Sequence, residues 1–202
     1  MKKIVCYGDS NTFGFNSKNG SQFDDGICWT SVLQRNLGEG YKVINEGMCN
    51  RTGFVENPDG FIFDGPKHFA EFISKSDNID ILILWIGTND LMFQYNITSE
   101  TIENGLKNLI ELAKTKAKKI IIIPPVILSK KILDSYFANM FDETSIKKSK
   151  EVGKIHKKLA QNYDCEYFDV NEFVKPSDVD GLHYDETSHK IIADKLVSLC
   201  LA

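Results

Sequence analysis

The segment Ile79-Asp80-Ile81-Leu82-Ile83-Leu84-Trp85-Ile86-Gly87-Thr88-Asn89-Asp90 decides how this chain folds. Its first part is an almost continuous apolar run. A strand with one wet face alternates apolar and polar side chains, whereas a strand covered on both faces does not, so Ile79–Trp85 reads as a central strand of a parallel sheet. At Gly87 the run gives way to turn-forming residues, so the strand ends there and presents Thr88, Asn89 and Asp90 at its carboxyl edge.

Outward from this strand, Lys3–Tyr7, Lys42–Asn45, Lys119–Ile123 and Cys165–Phe168 read as further strands. Helical periodicity lies between them at Trp29–Leu37, Pro66–Ser74, Ser99–Thr115 and Glu143–Gln161, and after them at Asp185–Leu199. Strand and helix alternate throughout. The expected fold is therefore α/β, a three-layer α/β/α sandwich around a five-stranded parallel sheet, in one domain spanning residues 1–202. Val126–Phe141 follows the fourth strand and should emerge at the carboxyl edge, where ligands bind in such sheets, as a wall or cover of a pocket.

Composition narrows the function classes. With 42% hydrophobic and 26% charged residues, the chain can bury a core while keeping a polar surface. A formal charge of -4 gives no footprint for nucleic acid, which needs a positive surface. The lysines from Lys147 to Lys158 are expected to form the solvated face of an amphipathic helix. The apolar runs Ile81–Ile86 and Ile120–Leu128 fall short of the ~18 residues that a membrane span requires. No secretion signal is visible at Met1-Lys2-Lys3, so a cytoplasmic location is expected, and the sequons at Asn50 and Asn96 carry no weight. Five scattered cysteines without CxxC spacing are expected to be reduced thiols, with no zinc site and no cofactor.

Four strand ends carry residues with chemical capacity. Gly8-Asp9-Ser10-Asn11-Thr12 follows the first strand and puts a serine hydroxyl at the sheet edge. Such a hydroxyl needs a base, and alone the motif suits a helix cap or a phosphate-cradling turn equally well. Asp178-Val179-Asp180-Gly181-Leu182-His183 precedes the last helix and returns a histidine to the same edge. Asp180, three residues before His183, is placed to accept from its Nδ1–H, with Asp178 as the fallback; the plainer reading is an acidic turn with a surface histidine. Asn89 offers a side-chain amide to an oxyanion, and Gly47, with no Cβ, leaves its N–H approachable as a second donor. Asn11, Phe13, Arg51, Met92 and Phe93 are candidates for lining the substrate pocket, with Phe15, Phe137 and Phe141 as further aromatics. His68, His156 and His189 are expected to be structural or on the surface.

Taken in order, Gly8-Asp9-Ser10, Gly47, Gly87-Thr88-Asn89-Asp90 and Asp180-Gly181-Leu182-His183 resemble the four sequence blocks of the SGNH, or GDSL-like, hydrolases, and within them the bacterial arylesterase and acyltransferase branch. The resemblance covers nearly the whole chain. It implies Ser10 as nucleophile, Asp180 and His183 as its partners, and an oxyanion hole made by Ser10 N–H, Gly47 N–H and the Asn89 amide. Asn11 departs from it, standing where the GDSL signature has Leu. The implied activity is a serine esterase on small-molecule, short-chain acyl or aryl esters, with a carbohydrate O-acetylesterase as the alternative. A flavodoxin-like phosphate- or nucleotide-binding module is the rival from another class. Nucleic acid and membrane partners are not expected, and association as a homo-oligomer is left open.

Overall fold

The computed structural model describes residues 1–56 and 65–202. Its five parallel strands are β1 (Lys2–Gly8), β2 (Tyr41–Gly47), β3 (Ile79–Trp85), β4 (Ala117–Ile123) and β5 (Glu166–Tyr167), in the spatial order β2-β1-β3-β4-β5. The helices are α1 (Ser10–Phe13), α2 (Trp29–Leu37), α3 (Gly65–Lys75), α4 (Ser99–Ala113), α5 (Glu143–Asn162) and α6 (Glu186–Leu201). Each expected strand and helix is present. Among the α-helices of the described residues, the periodicity did not show α1, whose single turn is too short to carry a helical pattern. Conversely, β5 shrinks to two residues, because only Glu166 and Tyr167 pair with β4.

Burial of β1 and β3 on both faces requires cover from both sides. That cover comes in two groups: α2 packs with α6, while α4 packs with both α3 and α5. The edge strand β2 is only half-buried along its length, and its exposed margin is blocked by side chains. Gln34 Oε1 accepts from Val43 N–H at 2.8 Å, and Gln34 Nε2 donates to Tyr41 O at 3.1 Å. An edge whose backbone groups are already occupied offers little to a foreign strand.

Helix starts are secured by side chains. Asp142, Thr98 and Asp185 cap α5, α4 and α6 through their own carboxylate or hydroxyl oxygens. Cys28 makes no such bond at the start of α2; there the Trp29 N–H donates instead to His189 Nδ1 of α6, at 3.1 Å. His189 thus caps a neighbouring helix. His156 in α5 is also buried, its Nδ1 3.1 Å from Val152 O. Burial lowers both imidazoles to about 4, so both are neutral at physiological pH.

A histidine whose folded-state value lies below its unfolded value near 6.5 takes up its proton more readily when unfolded. The stability contributed by these two neutral rings is therefore full above about pH 6.5 and is lost as the pH falls from there toward 4. Each of the two should cost about 2 kcal/mol at pH 5. Urea unfolding at pH 7 and pH 5 should show that loss, and His156→Gln or His189→Gln should each shrink the difference between the two pH values.

Candidate active site

Parallel pairing sets Gly8 opposite both Gly47 and Trp85, so β1, β2 and β3 end at one level. The chain leaves β1 through Asp9, whose carboxylate accepts from Asn11 N–H at 3.0 Å and starts α1, with Ser10 as its first residue. Gly14, with φ of 88°, ends the turn. Ser10 Oγ lies 2.8 Å from His183 Nε2, and His183 Nδ1 lies 2.6 Å from Asp180 Oδ2. A carboxylate only accepts, so Nδ1 carries the proton and Nε2 turns its lone pair to the serine hydroxyl. The second Asp180 oxygen accepts from the backbone N–H groups of Leu182 and His183, at 2.9 and 3.0 Å. One carboxylate thereby both folds the turn and orients the ring. Burial pushes the Asp180 carboxyl up, but the His183 ring and these N–H donors outweigh it and hold it below its ordinary value. Asp178 makes no such contact and the fallback is not needed.

This relay faces a cavity of about 580 Å3 lined by Ser10, Asn50, Asn89, Met92, His183 and, among others, Phe15, Phe137, Met140 and Phe141. The rings of Phe15 and Phe137 stand 4.4 and 5.5 Å from that of His183. Val126–Phe141 does form a wall. It is pinned to the Asp180 turn by Ser129 N–H donating to Gly181 O at 3.1 Å, and it contributes Ser135, Tyr136 and Phe137 to the cavity. Opposite stands a polar stretch, Ser17–Gly20, which Lys18 ties to Glu186 at the start of α6.

Several expected site residues do other work. Gly47 does not line the cavity, and its N–H donates to Asn45 Oδ1 at 2.8 Å, so it is no free oxyanion donor. Its lack of a Cβ serves packing, since a Cβ would stand 2.1 Å from Phe13 N. The available donor sits three residues on. Arg51 N–H closes a turn onto Met48 O, Asn50 adopts φ of 65°, and the Asn50 N–H has no acceptor among the described residues. Asparagine tolerates that left-handed backbone, and this tolerance is the signal that could have pointed to Asn50 in place of the glycine.

Arg51 is buried and outside the cavity. Its Nη1 donates to Gly8 O at 2.8 Å and to Glu46 O, and its guanidinium lies 4.1 Å from the Tyr7 ring centre. It ties the ends of β1 and β2 together. Asn11 is buried beside the His183 turn, Phe13 gives its carbonyl to Gln22 Nε2 at 2.8 Å, and Phe93 is largely exposed; none of the three lines the cavity. Met92 does. Asn89 lines the cavity, and its Nδ2 donates to Arg51 O at 2.9 Å. Its neighbour Asp90 accepts from Gly53, Phe54 and Val55 N–H at 2.6, 2.7 and 2.9 Å, anchoring the loop that carries Asn50, although burial raises its carboxyl to about 6.

The cavity also holds Cys49, whose thiol is pushed up to about 11 by burial and then by the Asp9 charge, so it is protonated at neutral pH. Among the described residues no cluster of three or more His, Cys, Asp or Glu side chains is placed to hold a metal ion, and no helix is long and apolar enough to cross a membrane.

A serine, histidine and aspartate in hydrogen-bonded series at the carboxyl edge of a parallel sheet is the arrangement of a serine hydrolase. The sequence profile of the GDSL-like lipase/acylhydrolase family matches residues 6–191, and the chain belongs to that family. Among solved structures it is similar to the native M. smegmatis aryl esterase, with 25% identity and a TM-score of 0.89 over 100% of this chain and 99% of that one. It is similar also to Est24, a carbohydrate acetylesterase from Sinorhizobium meliloti, with 27% identity and a TM-score of 0.86 over 98% and 100% of the two chains. No curated protein sequence matches the chain.

The reassignment of Gly47 and Arg51 is open to direct measurement. Gly47→Ala should destabilise the fold by at least about 1–3 kcal/mol, as overpacking against backbone does. Arg51→Met should lower the denaturation midpoint by removing the guanidinium bonds to Gly8 O and Glu46 O, while KM for an ester substrate stays within about twofold. A large KM rise with unchanged stability would return Arg51 to the substrate.

Proposed function

We propose that the protein is a serine esterase that hydrolyses short-chain acyl esters, aryl esters among them, through an acyl-enzyme on Ser10. The observation that carries this reading is the continuous relay from Asp180 through His183 to Ser10 Oγ, opening on an apolar cavity. In the first step His183 Nε2 takes the hydroxyl proton as Ser10 Oγ attacks the ester carbonyl, and Asp180 stabilises the imidazolium that results. The proton then passes to the leaving alcohol. In the second step water, or a second alcohol, gives its proton to His183 and attacks the acyl carbon; the bond to Ser10 Oγ breaks, releasing the acid or the new ester, and His183 returns the proton to Ser10 Oγ.

Negative charge on the carbonyl oxygen needs donors already in place. Ser10 N–H, which as the first residue of α1 has no acceptor within its helix, the Asn50 N–H and the Asn89 amide are the three groups suited to it. The short-acyl preference is the expectation tested below; Met92, Met140 and Phe141 give the cavity apolar lining for an acyl group. The likeness to an aryl esterase is in keeping with the aromatic rings beside His183, where a leaving group must receive its proton.

A second reading, O-deacetylation of a saccharide by the same residues, is favoured by the polar rim of Ser17, Lys18, Asn19 and Asn50, and by the likeness to Est24. A panel of nitrophenyl esters and acetylated saccharides separates the two. Aryl acetates should be turned over best, with rates falling as the acyl chain lengthens; saccharide activity far above aryl activity would select the deacetylase.

The machinery itself is tested with a fluorophosphonate probe, which should label the wild type and fail to label Ser10→Ala. Asp180→Asn should lower kcat about 10³–10⁴-fold, and Asn89→Ala about 10²–10³-fold with little change in KM. Equal labelling of wild type and Ser10→Ala, or unchanged hydrolysis in His183→Ala, would favour a non-catalytic binding module instead.

A further inference from the structure

Asn11 is 1% exposed and outside the cavity, yet it is the residue that joins the two halves of the site. Its Nδ2 donates to Leu182 O at 3.4 Å, and its Oδ1 accepts from Tyr184 N–H at 3.3 Å. These groups flank His183 on either side. The remaining main-chain groups of His183 are also held, its N–H by Asp180 Oδ1 at 3.0 Å and its carbonyl by Ser177 N–H at 2.8 Å. Apart from the Ser10–His183 bond itself, Asn11 is the one α1 side chain that hydrogen-bonds the histidine turn among the described residues, one residue from Ser10.

We propose that Asn11 is a positioning residue that sets the reach of His183 Nε2 to Ser10 Oγ. The inference rests on the serine esterase reading above. Both bonds are long, and each is modest alone. Their leverage is geometric, because an error of about 1 Å in a reacting pair can cost 10²-fold in rate. Only an amide makes both bonds at once: a carboxylate accepts from Tyr184 N–H but repels Leu182 O, and a leucine makes neither bond. Asn11 is itself held from behind, its carbonyl accepting from Trp29 Nε1 at 3.0 Å. A leucine at this position keeps the apolar packing and the carbonyl but loses the clamp.

The experiment follows fluorophosphonate labelling of wild type, Asn11→Leu and Asn11→Asp, reading both the end-point stoichiometry and the first-order rate, together with kcat and KM per titrated site. Asn11→Leu should reach one label per chain at a rate about tenfold to a hundredfold below wild type, with kcat lowered to match and KM within about twofold. Asn11→Asp, nearly the same shape and still able to accept from Tyr184 N–H, should fall between wild type and Asn11→Leu, and the count of titrated sites separates a folding defect from a slowed reaction in either variant. Full-length labelling at the wild-type rate in both variants overturns the positioning role. So does a reduced stoichiometry at the wild-type rate, which marks Asn11 as serving stability alone. A wild type that neither labels nor hydrolyses esters overturns the esterase reading itself, an outcome distinct from either of these.

Discussion

Everything at the site depends on the parallel pairing of β1 between β2 and β3. That pairing brings three strand ends to one level, so that α1, the Asn50 turn and the Asn89 turn leave the sheet side by side. Close approach there has a steric requirement. A Cβ on Gly8 would lie 2.1 Å from Thr12 Oγ1 and 2.2 Å from Trp85 O, and one on Gly47 would strike the backbone of Phe13. The two glycines face each other across β1 and β2, and together they let α1 settle onto the sheet edge. The position of Ser10 is thus a consequence of backbone contact below it and does not depend on any surface loop.

A second constraint is the number of charged groups held out of water beside the cavity. Asp9, Arg51, Asp90 and Asp180 are all buried. Isolated charges there would be costly, but each has backbone partners: N–H groups for the three acids and carbonyls for the arginine. Those bonds hold loops that have no strand or helix of their own. Asp90 fixes the segment after Arg51, Arg51 fixes the strand ends, and Asp180 folds the histidine turn. Loops held in this way keep donors and acceptors aligned before a substrate arrives, which is what electrostatic catalysis requires.

The elements were legible because their patterns are strong. Ile79–Trp85 and Ile120–Ile123 are apolar enough to permit one reading, and the helices carry clear periodicity. Ser10, Asn89, Asp180 and His183 were legible because few residue types suit those tasks and the strand ends place them together. The details that failed share a cause: they concern direction. Gly47 and Asn50 lie on the same turn, and which N–H faces the cavity depends on the left-handed backbone at Asn50, which no composition or spacing specifies. Arg51, Asn11 and Phe13 likewise lie close to the chemistry in sequence, but none of them lines the cavity, and the first two are buried in the protein. Proximity along the chain marks a neighbourhood; orientation is decided by tertiary packing.

Asn89 shows why the site uses an amide where a hydroxyl would also donate. One N–H of its Nδ2 group is committed to Arg51 O, in the loop that also supplies Asn50. The second remains for the cavity, because an amide nitrogen carries two donors. A serine or threonine has a single O–H, so anchoring it would use up the donor, and leaving it free would let it rotate. A lysine would bring three donors, but on a flexible stem and with a charge to bury. The amide can be fixed and still donate. Its anchor is the carbonyl of Arg51, one residue beyond Asn50, so the buried arginine holds the amide through its backbone while its side chain ties the sheet together.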